Sequence, residues 1–349
     1  MRIHLGHHFY GAGNLGDDFM LAGFLTALRA LAPAARFTCC VPFALAPLQR
    51  RFPTITWLPY DEPGRRRAIA GCDVWLGLGG SPFQSAQSRW FVDHLVAEAS
   101  TCAHERKPMF FLGVGVQTAA ELDVADVRRI CARAIGIWTR DATSAARLRA
   151  LASPPPVAAG ADLAHIYFRD TPPPPAAAGR VTLVVNFDHG TWTGQTSCLG
   201  AIDRLPAGER VWLAQESREL PGAERVLFAA LPATEQARWR LHTPELPGAP
   251  LDEALARWPS GEWLVTSRYH AALAGAWSGS RVVIISTNEK LRAAAVELAL
   301  AAIPPDADLA SATRALATAG AAAPPVALAE SAFAACAEFV RRALGAVKS

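Results

Sequence analysis

Short apolar or β-branched runs alternate with longer amphipathic stretches along most of the chain. Runs at Ile3–Leu5, Phe37–Val41, Ile55–Leu58, Val74–Leu78, Met109–Val116 and Ile135–Thr139 predict strands. Between them, Phe24, Leu25, Leu28 and Leu31 recur at helical spacing within Phe19–Leu31, and Val127–Arg133 and Ala142–Leu151 repeat that pattern. Strands alternating with helices predict a parallel sheet with crossover helices. After Asp162–Phe168 comes Asp170-Thr-Pro-Pro-Pro-Pro-Ala-Ala-Ala-Gly179. Four successive prolines lack the N–H groups and free φ of a helix or central strand, so this is a stiff linker. Alternation then resumes, with strands expected at Val181–Phe187, Arg210–Ala214, Arg225–Phe228, Trp263–Ser267 and Val282–Ser286. The expected architecture is α/β, two Rossmann-like domains facing a cleft. Residues 1–172 form the first, 180–325 the second, and 326–349 a closing helix that packs back on the first or meets a partner.

Composition bounds the class of protein. At 349 residues the chain fits roughly two domains of about 150 residues each. Its 51% hydrophobic content and net charge of only +3 exclude a disordered chain, and bulk charge gives no sign of nucleic-acid binding. No apolar window reaches the length of a spanning helix, and no leader pattern opens the sequence. Seven cysteines, odd in number and without a C-x-x-C pair, indicate buried thiols in a reducing compartment rather than disulfides or a zinc site. Cytoplasmic residence is the expectation. Arg65-Arg66-Arg67 reads as a solvated face, with contact to anionic lipid at the inner membrane surface as the other possibility.

Ligands of open α/β sheets sit at the carboxyl ends of the strands, so residues just past each strand are the candidates for chemistry. Gly11-Ala-Gly13-Asn14-Leu-Gly16-Asp17-Asp18 formally matches G-x-G-x-x-G. The second strand ends in Pro42 without an acid for a ribose, and the loop ends in two carboxylates that would repel a pyrophosphate, so a dinucleotide site is rejected. One of Asp17 and Asp18 is expected to cap the helix, leaving the other for a proton or a sugar hydroxyl. Arg140-Asp141 ends a strand and opens a helix, either as a local ion pair with a cap or as a guanidinium gripping an anion. The strongest signal is Thr266-Ser267-Arg268-Tyr-His270, with Ser267 as expected N-cap and two cations in the first turn, followed by Lys290 at the next helix start. Cations are disfavoured there unless an anion offsets them, so an anion site is expected, with a satisfied core histidine as the plainer reading of His270. Gly77-Leu-Gly79-Gly80-Ser81 and Gly113-Val-Gly115-Val-Gln117 are either ordinary turns or close approaches to a ligand. Trp192, in the polar loop His189–Gln195, is a candidate to stack on a sugar ring, though most of the ten tryptophans should be core.

These motifs, in order, resemble the polysaccharide pyruvyl transferase family. The resemblance rests on Asn14-Leu-Gly16-Asp17, the pair Gly79-Gly80, Gly113–Gln117, Arg140-Asp141-x-x-Ser144, Ala161-Asp162-Leu-Ala, and Arg268-Tyr-His270-Ala with Lys290 beyond. The chain departs from the family pattern at Asn186-Phe-Asp188-His189, where a basic residue is expected, and across residues 190–260, which carry no family motif. The resemblance implies a GT-B-like fold and transfer of a pyruvyl group from phosphoenolpyruvate to a sugar of a bacterial glycan or its precursor, forming a ketal. It implies Arg140, His270 and Lys290 as donor-site residues; in the mechanism that fits, Arg140, Arg268 and Lys290 bind the donor, His270 is the acid and Asp17 the base or hydroxyl anchor, and Asn14, Asp18 and Trp192 are the candidates on the acceptor side. The acceptor would be a lipid-linked or nucleotide-linked sugar, with phosphoenolpyruvate as co-substrate and neither metal nor other cofactor. Two other readings stand beside it: a GT-B glycosyltransferase using a nucleotide sugar, and a non-catalytic glycan- or anion-binding protein.

Overall fold

All pairings between the strands of the computed structural model are parallel, as the alternation of apolar runs and helices predicts. The structure describes residues 1–348 except 7–8, 12, 84–88, 117, 119, 121, 123, 152, 188–191, 218, 220 and 245–247. Of the positions singled out above, Ala12, Gln117 and the stretch from Asp188 through Thr191 lie outside the described residues. The chain divides into two compact units: residues 1–12, 17–167 and 326–349 in the first, and 13–16 with 168–325 in the second.

The first unit carries β1 (Arg2–Leu5), β2 (Arg36–Val41), β3 (Ile55–Pro59), β4 (Val74–Leu78), β5 (Met109–Val114), β6 (Gly136–Thr139) and β7 (Val157–Ala159) in the order β3-β2-β1-β4-β5-β6-β7. The strand order reverses between β1 and β4. Val74–Leu78 and Met109–Val114 are buried along their whole length, as strands covered by helices on both faces must be. One layer of core gathers Trp75, Phe91, Leu95, Phe111, Ile130 and Ile137. The helix Val326–Lys348 belongs to this unit, and its fully buried Phe339 lies 5.6 Å from Phe110 and 6.3 Å from Phe24. That burial contributes roughly 1.5–3 kcal/mol.

The second unit carries β8 (Ala177–Val184), β9 (Glu209–Leu213), β10 (Arg240–His242), β11 (Gly261–Thr266), β12 (Arg281–Ile285) and β13 (Ala301–Ile303) in the order β10-β9-β8-β11-β12-β13. Here the order reverses between β8 and β11. This is the dinucleotide-fold strand order, with a crevice expected at that reversal. The core packs Val181, Leu183 and Val185 against Trp212, Trp263, Val283 and Ile285.

Several expectations need correction. Arg225–Phe228 is not a strand but lies in the helix Glu224–Ala229; a four-residue apolar run has no periodicity that separates the two. Its place in the sheet is taken by the shorter, polar β10, which edges the sheet and so needs no continuous apolar run. Separately, the boundary between the two compact units falls between Tyr167 and Phe168, within the helix Ala164–Asp170. Among the described residues no helix is long and apolar enough to cross a membrane. All seven cysteines are buried and none is in a disulfide, and burial pushes the thiols of Cys131, Cys198 and Cys336 up to about 12.

Candidate functional site

The reversal point of the second sheet is built from the residues that follow β8 and β11. The Ser267 hydroxyl accepts from the Asn186 N–H at 2.7 Å and donates to the Asn186 carbonyl at 2.7 Å, tying the two strand ends together. Ser267 is therefore not the helix cap. The helix Tyr269–Ser278 starts after Arg268, which holds the N-cap position without any side-chain cap, because the Ser267 hydroxyl is spent on Asn186. Asn186 is buried, and its Oδ1 meets no partner among the described residues.

Arg268 does not stand as an unneutralised cation. Its Nη2 donates to Glu216 Oε2 at 2.5 Å and its Nε to Glu224 Oε1 at 2.6 Å. Burial by itself lowers the Arg268 pKa, but the two carboxylates outweigh it and hold the guanidinium above its usual range. Burial pushes the Glu224 carboxyl up despite the pull of Arg268. The unfavourable cation at this helix start is thus offset from within the protein, by two acids that sequence reasoning missed. The signal was there: Ala214-Gln215-Glu216 directly follows the carboxyl end of β9. Gln215 is also buried; its Nε2 donates to Asn14 Oδ1 at 3.3 Å, and its Oε1 has no partner among the described residues.

The segment Gly13–Gly16 belongs to this same unit. Asn14 bridges Glu216 in antiparallel fashion, and the Ser217 N–H donates to the Gly13 carbonyl at 2.8 Å. Asn14 Oδ1 also accepts from the Gly16 N–H at 3.1 Å, so Asn14 caps the helix Leu15–Leu31, and Asp17 and Asp18 lie in its first turn rather than capping it. His270 is buried beside Gly16, where a Cβ would lie 2.2 Å from its Nδ1. Its ring meets Tyr269 edge-on at 5.2 Å, and Lys290 Nζ sits 4.5 Å from the Tyr269 ring centroid. Arg268, His270, Lys290 and Asn14 are therefore gathered in one unit. Lys290 follows Asn288, whose side chain caps its helix by accepting from the Leu291 N–H at 3.1 Å.

Trp192, Asp18, Asp17 and Arg140 complete the expected set. Trp192 is only 5% exposed and stacks on Phe187 at 5.2 Å within the core of the second unit, so its faces are not open to a sugar. Asp18, in the first unit, is fully buried; it accepts from the Gly11 N–H at 2.8 Å and pairs with Arg51 at 2.7 Å. These are bonds of a structural ion pair, not of a solvent-facing hydroxyl anchor. Asp17 is half-buried in the first helical turn of the same unit. Arg140 is buried in the first unit, where its Nη1 donates to the Gly80 carbonyl at 3.3 Å and its Nη2 to Ser81 Oγ at 3.1 Å. A Cβ on Gly115 would lie 2.2 Å from that guanidinium. Gly79 and Gly80 both take φ of +68°, a turn that L side chains resist and that exposes the Gly80 carbonyl to Arg140. Asp141 caps the helix Ala142–Arg149 through the Ser144 N–H at 2.6 Å and also accepts from the Ser144 hydroxyl at 2.9 Å. The Arg140-Asp141-x-x-Ser144 block thus fastens the loops after β4, β5 and β6. Among the described residues, no group of three or more His, Cys, Asp or Glu side chains is placed to hold a metal ion.

No protein-family model matches the chain, and no curated protein does. Solved structures do. A UDP-N-acetylglucosamine 2-epimerase from Rickettsia bellii is similar at a TM-score of 0.64 and 9% identity, over 99% of this chain and 96% of that one. The UDP-GlcNAc 2-epimerase from Neisseria meningitidis, solved bound to UDP-GlcNAc, is similar at 0.59 and 10% identity, over 99% of each chain. HepE of Anabaena, in complex with UDP and glucose, is similar at 0.61 and 11% identity, also over 99% of each. These findings overturn the resemblance to polysaccharide pyruvyl transferases, and with it pyruvyl transfer from phosphoenolpyruvate. The physical reason agrees: two of the three cations assigned to that donor, Arg268 and Arg140, already serve protein carboxylates and loop oxygens. The fold is a two-domain, Rossmann-like, GT-B-like α/β architecture, shared along nearly the whole length of these enzymes.

Proposed function

We propose that the chain is an enzyme acting on a nucleotide-linked sugar, with the nucleoside diphosphate held at the carboxyl edge of the second sheet. One observation carries the reading. At the carboxyl ends of β8 and the neighbouring β9, the buried amide oxygens Asn186 Oδ1 and Gln215 Oε1 have no partner among the described residues. Buried polar atoms are nearly always satisfied, and the hydroxyl and N–H donors of a nucleoside are partners of the right kind. The helix Tyr269–Ser278 begins at the same place without a side-chain cap, so its first N–H groups suit a phosphate. Lys290, over the ring of Tyr269, adds a positive charge there. Glu216 and Glu224 fix Arg268, and His270 is the group proposed to move a proton. Similar folds solved with UDP, with UDP and glucose, or with UDP-GlcNAc support the choice of ligand class.

Incubation of the protein with UDP-glucose or UDP-GlcNAc, with and without oligosaccharide acceptors, tests this by proton and phosphorus NMR. A new anomeric signal or released UDP is expected, slowed at least about a hundredfold in His270→Gln. Unchanged spectra for every nucleotide sugar would overturn the reading.

A further inference from the structure

Of the three arginines whose sequence reads as a solvated face, Arg66 and Arg67 are exposed, but Arg65 is only 6% exposed. All three lie in the helix Glu62–Gly71 of the first unit, which follows β3. The Asp61 side chain caps that helix by accepting from the Gly64 N–H at 2.6 Å, and the Asp61 carbonyl accepts from the Arg65 N–H at 2.9 Å. With the first turn held in this way, helical geometry puts Arg65 on the buried face with Ile69, four residues on. A groove of about 400 Å³ lies between this helix and the helix Trp90–His104, lined by Glu62, Arg65 and Arg66 from one and by Ser100, Thr101 and His104 from the other.

Arg65 enters the interior without the partner that burial normally demands. Its Nη1 is shut off from solvent and meets no hydrogen-bond partner among the described residues. The ion pair of this turn is made by Arg66 instead, with Glu62 at 2.8 Å, and at the far wall Glu105 lies 3.8 Å from His104. The buried Glu98, from the helix of the far wall, gives its Oε2 to Trp75 Nε1 at 2.9 Å. A buried guanidinium is costly unless it is paired and hydrogen-bonded, and its planar fork matches the oxygens of a phosphate or carboxylate. The exposed Ser100 hydroxyl adds a donor at the lip, while the Thr101 hydroxyl is spent on the Ala97 carbonyl at 2.9 Å. A lipid surface would meet the exposed Arg66 and Arg67 before it reached Arg65, so the recessed charge suits a soluble anion.

We propose that this groove takes a soluble phosphate group, free or as a phosphomonoester, gripped by the Arg65 guanidinium and met at the lip by the Ser100 hydroxyl. Every residue of the site lies in the first unit, so the proposal stands apart from the nucleotide-sugar reading of the second.

Calorimetric titration of inorganic phosphate and of glycerol 3-phosphate into the full chain tests it, at constant ionic strength and with UDP in excess to fill any nucleotide site. Binding is expected, weakened at least about tenfold in Arg65→Met. Ser100→Asp, a change at an exposed position that sets a carboxylate in the same groove, should weaken it as much and serves as the second variant should Arg65→Met not fold. Phosphate should raise the melting temperature of the parent protein and leave that of either variant where it is. Tighter binding of glycerol 3-phosphate than of phosphate would identify a phosphomonoester as the occupant, and equal binding the free anion. Absence of binding of both anions to the parent protein, or equal affinity in the parent protein and the variants, would overturn the site.

Discussion

Gly16 and His270 share one space: a Cβ added to Gly16 would lie 2.2 Å from Nδ1 of His270 and 2.8 Å from its Cγ. The first turn of the helix Leu15–Leu31 and the helix Tyr269–Ser278 are thereby fitted to each other at Gly16, and only a glycine at position 16 leaves the imidazole where it is.

Gly16→Ala is expected to turn the His270 ring out of its seat. Overpacking of this kind costs roughly 1–3 kcal/mol. A lowered melting temperature should accompany a loss of turnover of the same order as in His270→Gln. Turnover equal to that of the parent protein would separate His270 from the reaction.

Arg268→Met should strip Glu216 and Glu224 of their common cation. Removing one partner of a buried pair typically costs about 3–5 kcal/mol, read as a shift in denaturant midpoint. Arg268→Lys should restore little, since a single ammonium cannot reproduce bonds from Nε and Nη2 to two carboxylates.

Asp18→Ala tests the reassignment of that residue. The loss of its buried pair with Arg51 and its bond from Gly11 should lower stability by about 3–5 kcal/mol. Binding of UDP below the melting temperature should be unchanged. A variant that is stable but fails to bind would return Asp18 to the ligand.

Acid should weaken the closing helix through Glu338. Hydrogen bonds from Arg341 and then Arg342 hold its carboxyl down from 4.5 to about 2. A depressed carboxylate contributes stability above its unfolded pKa and loses it as pH falls through the folded value. The melting temperatures of the parent protein and Glu338→Gln should therefore differ most above about pH 5 and converge towards pH 2. A gap that stays constant over that range would contradict the assignment.

The parallel α/β halves were legible because buried strands such as Val74–Leu78 read as continuous apolar runs and helices as 3.6-residue periods. β7, β10 and β13 were not, since three-residue edge or terminal strands carry too few positions to show any period. In the site, Arg268 and His270 could be picked out by their place after a strand, but their partners could not. Glu216 and Glu224 lie 52 and 44 residues away in sequence, and only the sheet order brings the ends of β9 and β11 to one edge. The family resemblance misled for a related reason. Arg140-Asp141-x-x-Ser144 looks like a ligand grip by residue type, yet its hydrogen bonds go to the protein's own loops.

Calorimetric titration of UDP into the parent protein, Asn186→Ala and Ser267→Ala addresses the central claim most directly. Binding to the parent protein, weakened at least about tenfold in both variants, is predicted, a loss of about 1.4 kcal/mol. No binding to the parent protein, or equal affinity in all three, would contradict a nucleotide site at the ends of β8 and β11.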